Sequence, residues 1–311
     1  MVKPKLIIHG GAGNSLIGKG TLIEVRETLY SILEKVYPLL QQGKTAKEAV
    51  VKGCQLLEDE PRFNAGTGSV LQSDGQIRMS AGLMDGSTQA FSGVVNISRV
   101  KNPIDIASAL QTSTDRILSD HGCTEFMREL QVPIYNPMTD QRLKEWVAER
   151  QDDFQRDMAN VLASEPGKGT IGVVALDSQG NIAAGTSTGG KGFEKIGRVS
   201  DSPMPAGNYA NEYAGMSCTG IGEDIIDECF AARVVVRVTD GLSLQEALNI
   251  SFKEATERKR DFAAISIDQS GTIGWGKACD VLVAAFHDGD KLSDSLEAEK
   301  GTQVFTLPAE G

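Results

Sequence analysis

Apolar residues recur along this chain with two periods, and the switches between them lay out its elements. Leu6-Ile7-Ile8 reads as a short buried strand ending at His9-Gly10-Gly11-Ala12-Gly13, where glycines let the backbone approach a neighbour closely. Leu22, Val25, Leu29, Ile32, Leu33, Val36, Leu39 and Leu40 then fall at helical spacing, which predicts a helix over 21–42 closed by Gly43. Thr45-Ala46-Lys47-Glu48 is a capping box and predicts a second helix through Leu57, broken by the turn residues between Pro61 and Gly68. From 69 to 97 the pattern turns to strand. Val70-Leu71-Gln72 and Gln76-Ile77-Arg78-Met79, on either side of Ser73-Asp74-Gly75, predict a hairpin, and Gly93-Val94-Val95-Asn96-Ile97 predicts a further strand. Asn102-Pro103 opens a helix through Leu110. A polar, charge-rich helix follows over 141–162, then a small, flexible linker over 164–169.

The second half restarts the sheet. Strands are predicted over 171–176 and 181–184 around a turn at Asp177-Ser178-Gln179-Gly180. A helix over 223–238 carries acids in its first turn, which suits the helix dipole. Ser243-Leu244-Gln245-Glu246 caps another helix through Glu257, and strands over 263–267, 272–275 and 281–286 close the pattern. Strands and two helices, the same again, then strands: this order predicts an α/β (α+β) chain folded as two sheets with helices outside, a four-layer αββα sandwich in one domain over 1–311. There is no repeat, coiled coil or low-complexity tract.

Charge narrows the partners. The net charge of −11 argues against nucleic acid and against an anionic membrane surface. No apolar run reaches the ~18 residues that would span a bilayer. The opening residues enter a strand directly, without the pattern of a signal peptide, so the chain reads as cytoplasmic. Five cysteines, Cys54, Cys123, Cys218, Cys229 and Cys279, form no Cys-x-x-Cys pair and read as reduced, mostly buried thiols. Three scattered histidines do not make a zinc site. The glycines after the first strand do not form Gly-x-Gly-x-x-Gly in a strand-turn-helix unit with a downstream acid, which sets a dinucleotide fold aside.

The candidate chemistry centres on Thr170, in Gly167-Lys168-Gly169-Thr170-Ile171-Gly172 before the apolar run Val173-Val174-Ala175-Leu176. A cut between Gly169 and Thr170 would free a threonine whose α-amine, with a pKa near 7.7–8.0, is a base for its own hydroxyl. Left uncut, Thr170 simply starts a strand. Thr188 follows the adjoining strand in Thr186-Ser187-Thr188-Gly189-Gly190, where its hydroxyl would face Thr170 across a hairpin. Arg198 and Asp201 lie three apart in Gly197-Arg198-Val199-Ser200-Asp201-Ser202-Pro203. They match the α-carboxylate and α-amine of a free amino acid, or else form a surface ion pair of small worth. Ser217-Cys218-Thr219-Gly220-Ile221-Gly222-Glu223 is a small-residue turn at a helix start, whose N–H groups and Thr219 hydroxyl suit an oxyanion.

In order and spacing these segments resemble the plant-type L-asparaginase/isoaspartyl aminopeptidase family of N-terminal nucleophile hydrolases. His9-Gly10-Gly11-Ala12-Gly13, Phe63-Asn64-Ala65-Gly66-Thr67-Gly68 and Met84-Asp85-Gly86 match its amino half, so the likeness covers roughly residues 5 to 270. The resemblance implies self-cleavage between Gly169 and Thr170 into an α subunit (1–169) and a β subunit (170–311), assembled as (αβ)2. It implies hydrolysis of L-asparagine and of β-aspartyl (isoaspartyl) dipeptides. By it, Thr170 is the nucleophile, Thr188 supports its hydroxyl, and Arg198 and Asp201 clamp the substrate. Thr219 and Gly220 bind substrate and oxyanion, and Asn64 helps stabilise the tetrahedral intermediate. No cofactor is implied for the chemistry. A structural sodium or potassium ion is implied in the loop 57–67, held by main-chain carbonyls assigned to Leu57, Glu58, Glu60, Phe63, Ala65 and Thr67. A glycosylasparaginase-like amidase and an unprocessed scaffold are the alternatives. The sequence departs from the family at Met79-Ser80-Ala81-Gly82-Leu83, before the Met-Asp-Gly turn, and over 275–311.

Overall fold

The computed structural model describes residues 2–14, 16, 19–151 and 169–305. The end of the helix predicted over 141–162 and most of the linker predicted over 164–169 lie outside them. Strand β1 (Lys5–Gly13) leads into α1 (Leu22–Gln41) and α2 (Ala46–Glu58). Both helices begin in formed capping boxes: the Thr21 and Thr45 hydroxyls accept from the N–H groups of Glu24 and Glu48, whose carboxylates return to the cap N–H groups. Each box is worth about 1 kcal/mol. Then come β2 (Met79–Asp85), β3 (Ala90–Ile97), α3 (Pro103–Ala109), β4 (Ile117–Ser119), α4 (Asp120–Glu129) and α5 (Asp140–Gln151). The second half holds β5 (Ile171–Leu176), β6 (Ile182–Thr188), β7 (Asn208–Ala210) and β8 (Ala214–Gly220). Helices α6 (Gly222–Glu228), α7 (Phe230–Thr239) and α8 (Leu244–Glu257) follow. Strands β9 (Phe262–Asp268), β10 (Ile273–Lys277), β11 (Val281–His287), β12 (Leu292–Asp294) and β13 (Gly301–Phe305) end the described chain.

Two sheets form. The first runs β12-β11-β1-β5-β6-β2-β3-β4 and the second β13-β10-β9-β8-β7. Strand alternation sorts their side chains into layers. Leu6, Ile8, Val173, Ala175, Ala183 and Ala285 face outward and pack on Val25, Leu29, Leu33 and Val36 of α1 and Val50, Cys54 and Leu57 of α2. Their neighbours Ile7, Val174, Leu176, Ile182, Ala184 and Phe286 face inward, against Ile265, Ile267 and Trp275 of the second sheet. On the far side, Met216 and Cys218 of β8 meet Phe230, Val234, Leu248 and Phe252 of α7 and α8. The result is the αββα sandwich that the element order predicts. The same alternation decides the chemistry. Thr170 and Gly172 continue the inward face of β5, Thr186 and Thr188 that of β6, and Ser217 and Thr219 that of β8.

The structure corrects the sequence reading in four places. The hairpin predicted over 70–79 does not form a ladder. Its turn closes, with the Gln72 N–H donating to the Gln76 carbonyl at 2.9 Å, but Leu71 instead accepts from Phe193 N–H, and Val70 N–H donates to the Asn64 side chain. The helix predicted over 223–238 is two helices, because Cys229 sits in the left-handed region with φ 46° and turns the chain between α6 and α7. Strand β1 runs on through its glycines to Gly13, across a bulge after His9. Asn102 makes no cap bond to α3; its amide reaches back to Gln55 and Asp59 instead. The described cysteines are all free, and only Cys229 is exposed. No helix among the described residues is long and apolar enough to cross a membrane.

Candidate active site

The site lies where the inward faces of β5, β6 and β8 end together. Thr170, the residue before β5, is buried, and its hydroxyl donates to Thr188 Oγ1 at 3.2 Å. Thr188 Oγ1 also accepts the Gly190 N–H at 3.1 Å, so it is oriented as an acceptor toward Thr170. Beneath them a buried polar column joins the two sheets. Ser217 Oγ lies 2.7 Å from Thr186 Oγ1 and 2.9 Å from His9 Nε2. Gly172 makes room for it, since a Cβ there would collide with both Ser217 Oγ and His9 Nε2. Burial pulls His9 down to a pKa of about 3, so this ring is neutral.

One pocket is lined by Thr170, Thr188, Gly190, Lys191, Arg198, Ser200, Asp201, Gly220 and Gly222. It thus brings together four of the predicted side chains, Thr170, Thr188, Arg198 and Asp201, with the backbone of Gly220. Thr219 and Asn64 are outside this lining. Thr219 Oγ1 is fully buried and has no hydrogen-bond partner among the described residues. Asn64 is spent on the loop: its Oδ1 accepts from Val70 N–H, and its Nδ2 donates to the Gly190 carbonyl at 2.6 Å. Its main chain touches the proposed cleavage bond instead, with Asn64 N–H donating to the Gly169 carbonyl at 3.3 Å. Gly169 rests on Gly11 so closely that a Cβ on either would collide with the other's α-carbon.

Arg198 does not pair with Asp201. Its Nε and Nη2 grip the Glu223 carboxylate at 3.1 and 3.0 Å, a fork–fork contact that the sequence reading did not foresee. Burial raises the Glu223 pKa, but the Arg198 bonds outweigh it and hold the carboxyl at about 2. Asp201 stands across Gly222, where an added Cβ would lie 2.6 Å from Arg198 Nη2 and 2.8 Å from Asp201 Oδ1, so a side chain there would fill the gap between the two groups. Ser200, Lys191 and Glu223 are site residues that the reading missed. Ser200 and Glu223 stood inside quoted motifs, but side-chain direction in a loop has no periodic signal.

Burial drives the Asp201 pKa from 3.8 up to about 7; Arg198 opposes the rise, and Glu223 adds to it. Folded Asp201 therefore keeps its proton where the unfolded chain has lost it. Between about pH 4 and 7 this residue costs stability as pH rises, by a few kcal/mol in all. Asp201→Asn should remove that slope: its melting temperature gains on the parent's from pH 4 to pH 8. A parent–variant gap that stays constant over this range would contradict the assignment.

Among the described residues no three His, Cys, Asp or Glu side chains cluster to hold a metal. The loop 57–67 offers carbonyls instead. Those of Leu57, Glu58 and Glu60 already accept main-chain N–H groups, Leu57 from Asp59 and Glu60, Glu58 from Thr67, and Glu60 from Phe63. The carbonyls of Phe63, Ala65 and Thr67 accept none from the described backbone. Carbonyl oxygens left without a main-chain donor are the hard, uncharged ligands that hard cations take.

A family model described as asparaginase matches residues 2–297. The chain is 65% identical over 313 residues to an isoaspartyl peptidase/L-asparaginase of Nostoc, covering 98% of each chain. It is 60% identical over 303 residues to a protein of the same name from Synechocystis, covering 96% of this chain and 92% of that one. A plant-type L-asparaginase of Pyrococcus horikoshii is 36% identical over 291 residues, covering 88% and 92%.

Proposed function

Since the chain belongs to the asparaginase family of hydrolases, we propose that it is a threonine amidohydrolase that cleaves itself and then hydrolyses L-asparagine and β-aspartyl dipeptides. The observation that carries this reading is the Thr170–Thr188 hydroxyl pair in one pocket with Arg198 and Asp201. Self-cleavage frees the Thr170 amine, which then serves as base for its own hydroxyl. The substrate's α-carboxylate meets Arg198 and its α-ammonium meets Asp201. Thr170 Oγ attacks the side-chain amide carbon, and ammonia or an amino acid leaves. Water then clears the aspartyl ester. Thr219 and the Gly220 backbone receive the oxyanion; the orphaned Thr219 hydroxyl supports that role. During processing the Asn64 N–H, already bonded to the Gly169 carbonyl, does the same for the precursor.

The mature enzyme is proposed to be a cytoplasmic (αβ)2 assembly. The names carried by the Nostoc and Synechocystis relatives favour hydrolysis of asparagine and β-aspartyl dipeptides over a glycosylasparaginase-like activity. The test is to assay purified protein for ammonia release from L-asparagine beside hydrolysis of a β-aspartyl dipeptide. Activity on neither, from a cleaved chain, would sink the reading.

The loop 57–67 is proposed to hold sodium or potassium on its carbonyls, stiffening the segment that carries Asn64. A cation bound only by the folded state at ten times its Kd adds about 1.4 kcal/mol. Exchanging it for a bulky organic cation should lower the melting temperature by about 2–4 °C. Identical melting in sodium, potassium and the organic cation would count against the site.

A further inference from the structure

Lys19 is a buried amine that the hydrolytic reading leaves without a role; burial first, and the nearby Arg142 charge second, pull its pKa down to about 7. It is 3% exposed. Its Nζ donates to the Gly10 carbonyl at 2.7 Å and stands 5.2 Å from the centroid of the Phe63 ring. Among the described residues no carboxylate pairs with it. A polar amine buried without an acid is costly whether charged or neutral, and an apolar side chain of the same length would fill the space at less cost. What it holds lies against the proposed cleavage bond. Gly11 has φ 118°, and a Cβ built there would stand 2.7 Å from Gly169 Cα and 3.2 Å from Lys19 Nζ. The Gly10-Gly11 backbone is therefore the shelf on which Gly169 rests, and Lys19 is its tether. Phe63 packs on Gly10 from the side, and the next residue, Asn64, holds the Gly169 carbonyl.

We propose that Lys19 is a positioning residue for self-cleavage: by tethering the Gly10 carbonyl it fixes the shelf that holds the Gly169 carbonyl within reach of the Thr170 hydroxyl. This rests on the processing reading given above. In that step Thr170 Oγ bonds to the Gly169 carbonyl carbon, the Gly169–Thr170 C–N bond breaks, and the hydroxyl proton ends on the Thr170 nitrogen. Water then splits the ester, leaving a carboxylate on Gly169, the hydroxyl on Thr170 and the released proton on the amine. Lys19 exchanges no proton in this sequence; it contributes alignment.

The experiment follows cleavage on a denaturing gel from the start of cell-free synthesis, for the parent, Lys19→Met and Lys19→Arg, with melting temperatures of all three. A misplacement of ~1 Å costs on the order of 100-fold in such a step, so Lys19→Met should cleave about 10- to 100-fold more slowly while melting close to the parent. Lys19→Arg keeps an N–H donor for the Gly10 carbonyl and should recover most of the rate, which space-filling alone would not predict. A parent chain that stays whole overturns the processing reading and this one together. A parent that cleaves beside an equally fast Lys19→Met chain overturns this one alone. So does a Lys19→Arg chain as slow as Lys19→Met with parental melting.

Discussion

Thr170→Ala is expected to remain a single chain of 311 residues and to hydrolyse neither L-asparagine nor a β-aspartyl dipeptide. One hydroxyl is proposed to serve twice, first on the Gly169 carbonyl and then on substrate, so its loss stops both steps. Removing a catalytic nucleophile typically costs on the order of 10^4 to 10^6 in rate. The fold should survive. Thr170 gives up one side-chain hydrogen bond, to Thr188, and a methyl group at a strand end, which together cost on the order of 1–2 kcal/mol. Thr170→Ser keeps the hydroxyl and should cleave, more slowly, because the γ-methyl no longer restricts the rotamer. The parent should yield fragments of 169 and 142 residues, the second beginning Thr-Ile-Gly. A Thr170→Ala chain that still splits, or a parental second chain with another first residue, would place the nucleophile elsewhere.

The sequence made the site's skeleton legible because strand alternation and short-range caps are local rules. Thr170 continues the inward face of β5, and Thr186 and Thr188 lie on that of β6, where the Thr170 and Thr188 hydroxyls meet. The Thr45 capping box and the Ser243 cap form as read, and Thr21 makes a further box that the reading did not name. What was hidden depends on tertiary contact. The turn at 73–75 looked like a hairpin, but Val70 and Leu71 are claimed by Asn64 and Phe193 from outside it. Cys229 gave no breaker signal, since neither glycine nor proline marks the left-handed kink between α6 and α7. Lys19 carries no signal in the sequence, and its burial follows only from where Gly10 and Phe63 lie. Arg198 and Asp201 both line the pocket with Thr170. Their separation by Gly222, and the capture of Arg198 by Glu223, needed coordinates.

That capture sharpens the second large effect. In the free protein Glu223 already gives Arg198 Nε and Nη2 a carboxylate at 3.1 and 3.0 Å. The fork is thus held ready in the geometry a substrate carboxylate requires, with Asp201 Oδ1 on the other side of Gly222 for an ammonium. Truncating one partner of a desolvated charged pair costs roughly 2–5 kcal/mol. Arg198→Ala should therefore lose about 30-fold to several thousand-fold in kcat/KM on both substrates. Arg198→Lys keeps the charge but not the fork and should stay impaired. Glu223 is nearly half exposed on its side chain, so its pair with Arg198 is screened. Glu223→Gln retains an acceptor that keeps Arg198 in place while removing a competing charge, and it should change KM by less than about tenfold, far below the Arg198→Ala loss. Processing needs no free α-carboxylate, so Arg198→Ala should still cleave itself, which separates binding from folding. A cleaved Arg198→Ala enzyme with parental kcat/KM on both substrates would falsify the clamp. A loss confined to the dipeptide would move Arg198 to the leaving-group side of the scissile bond.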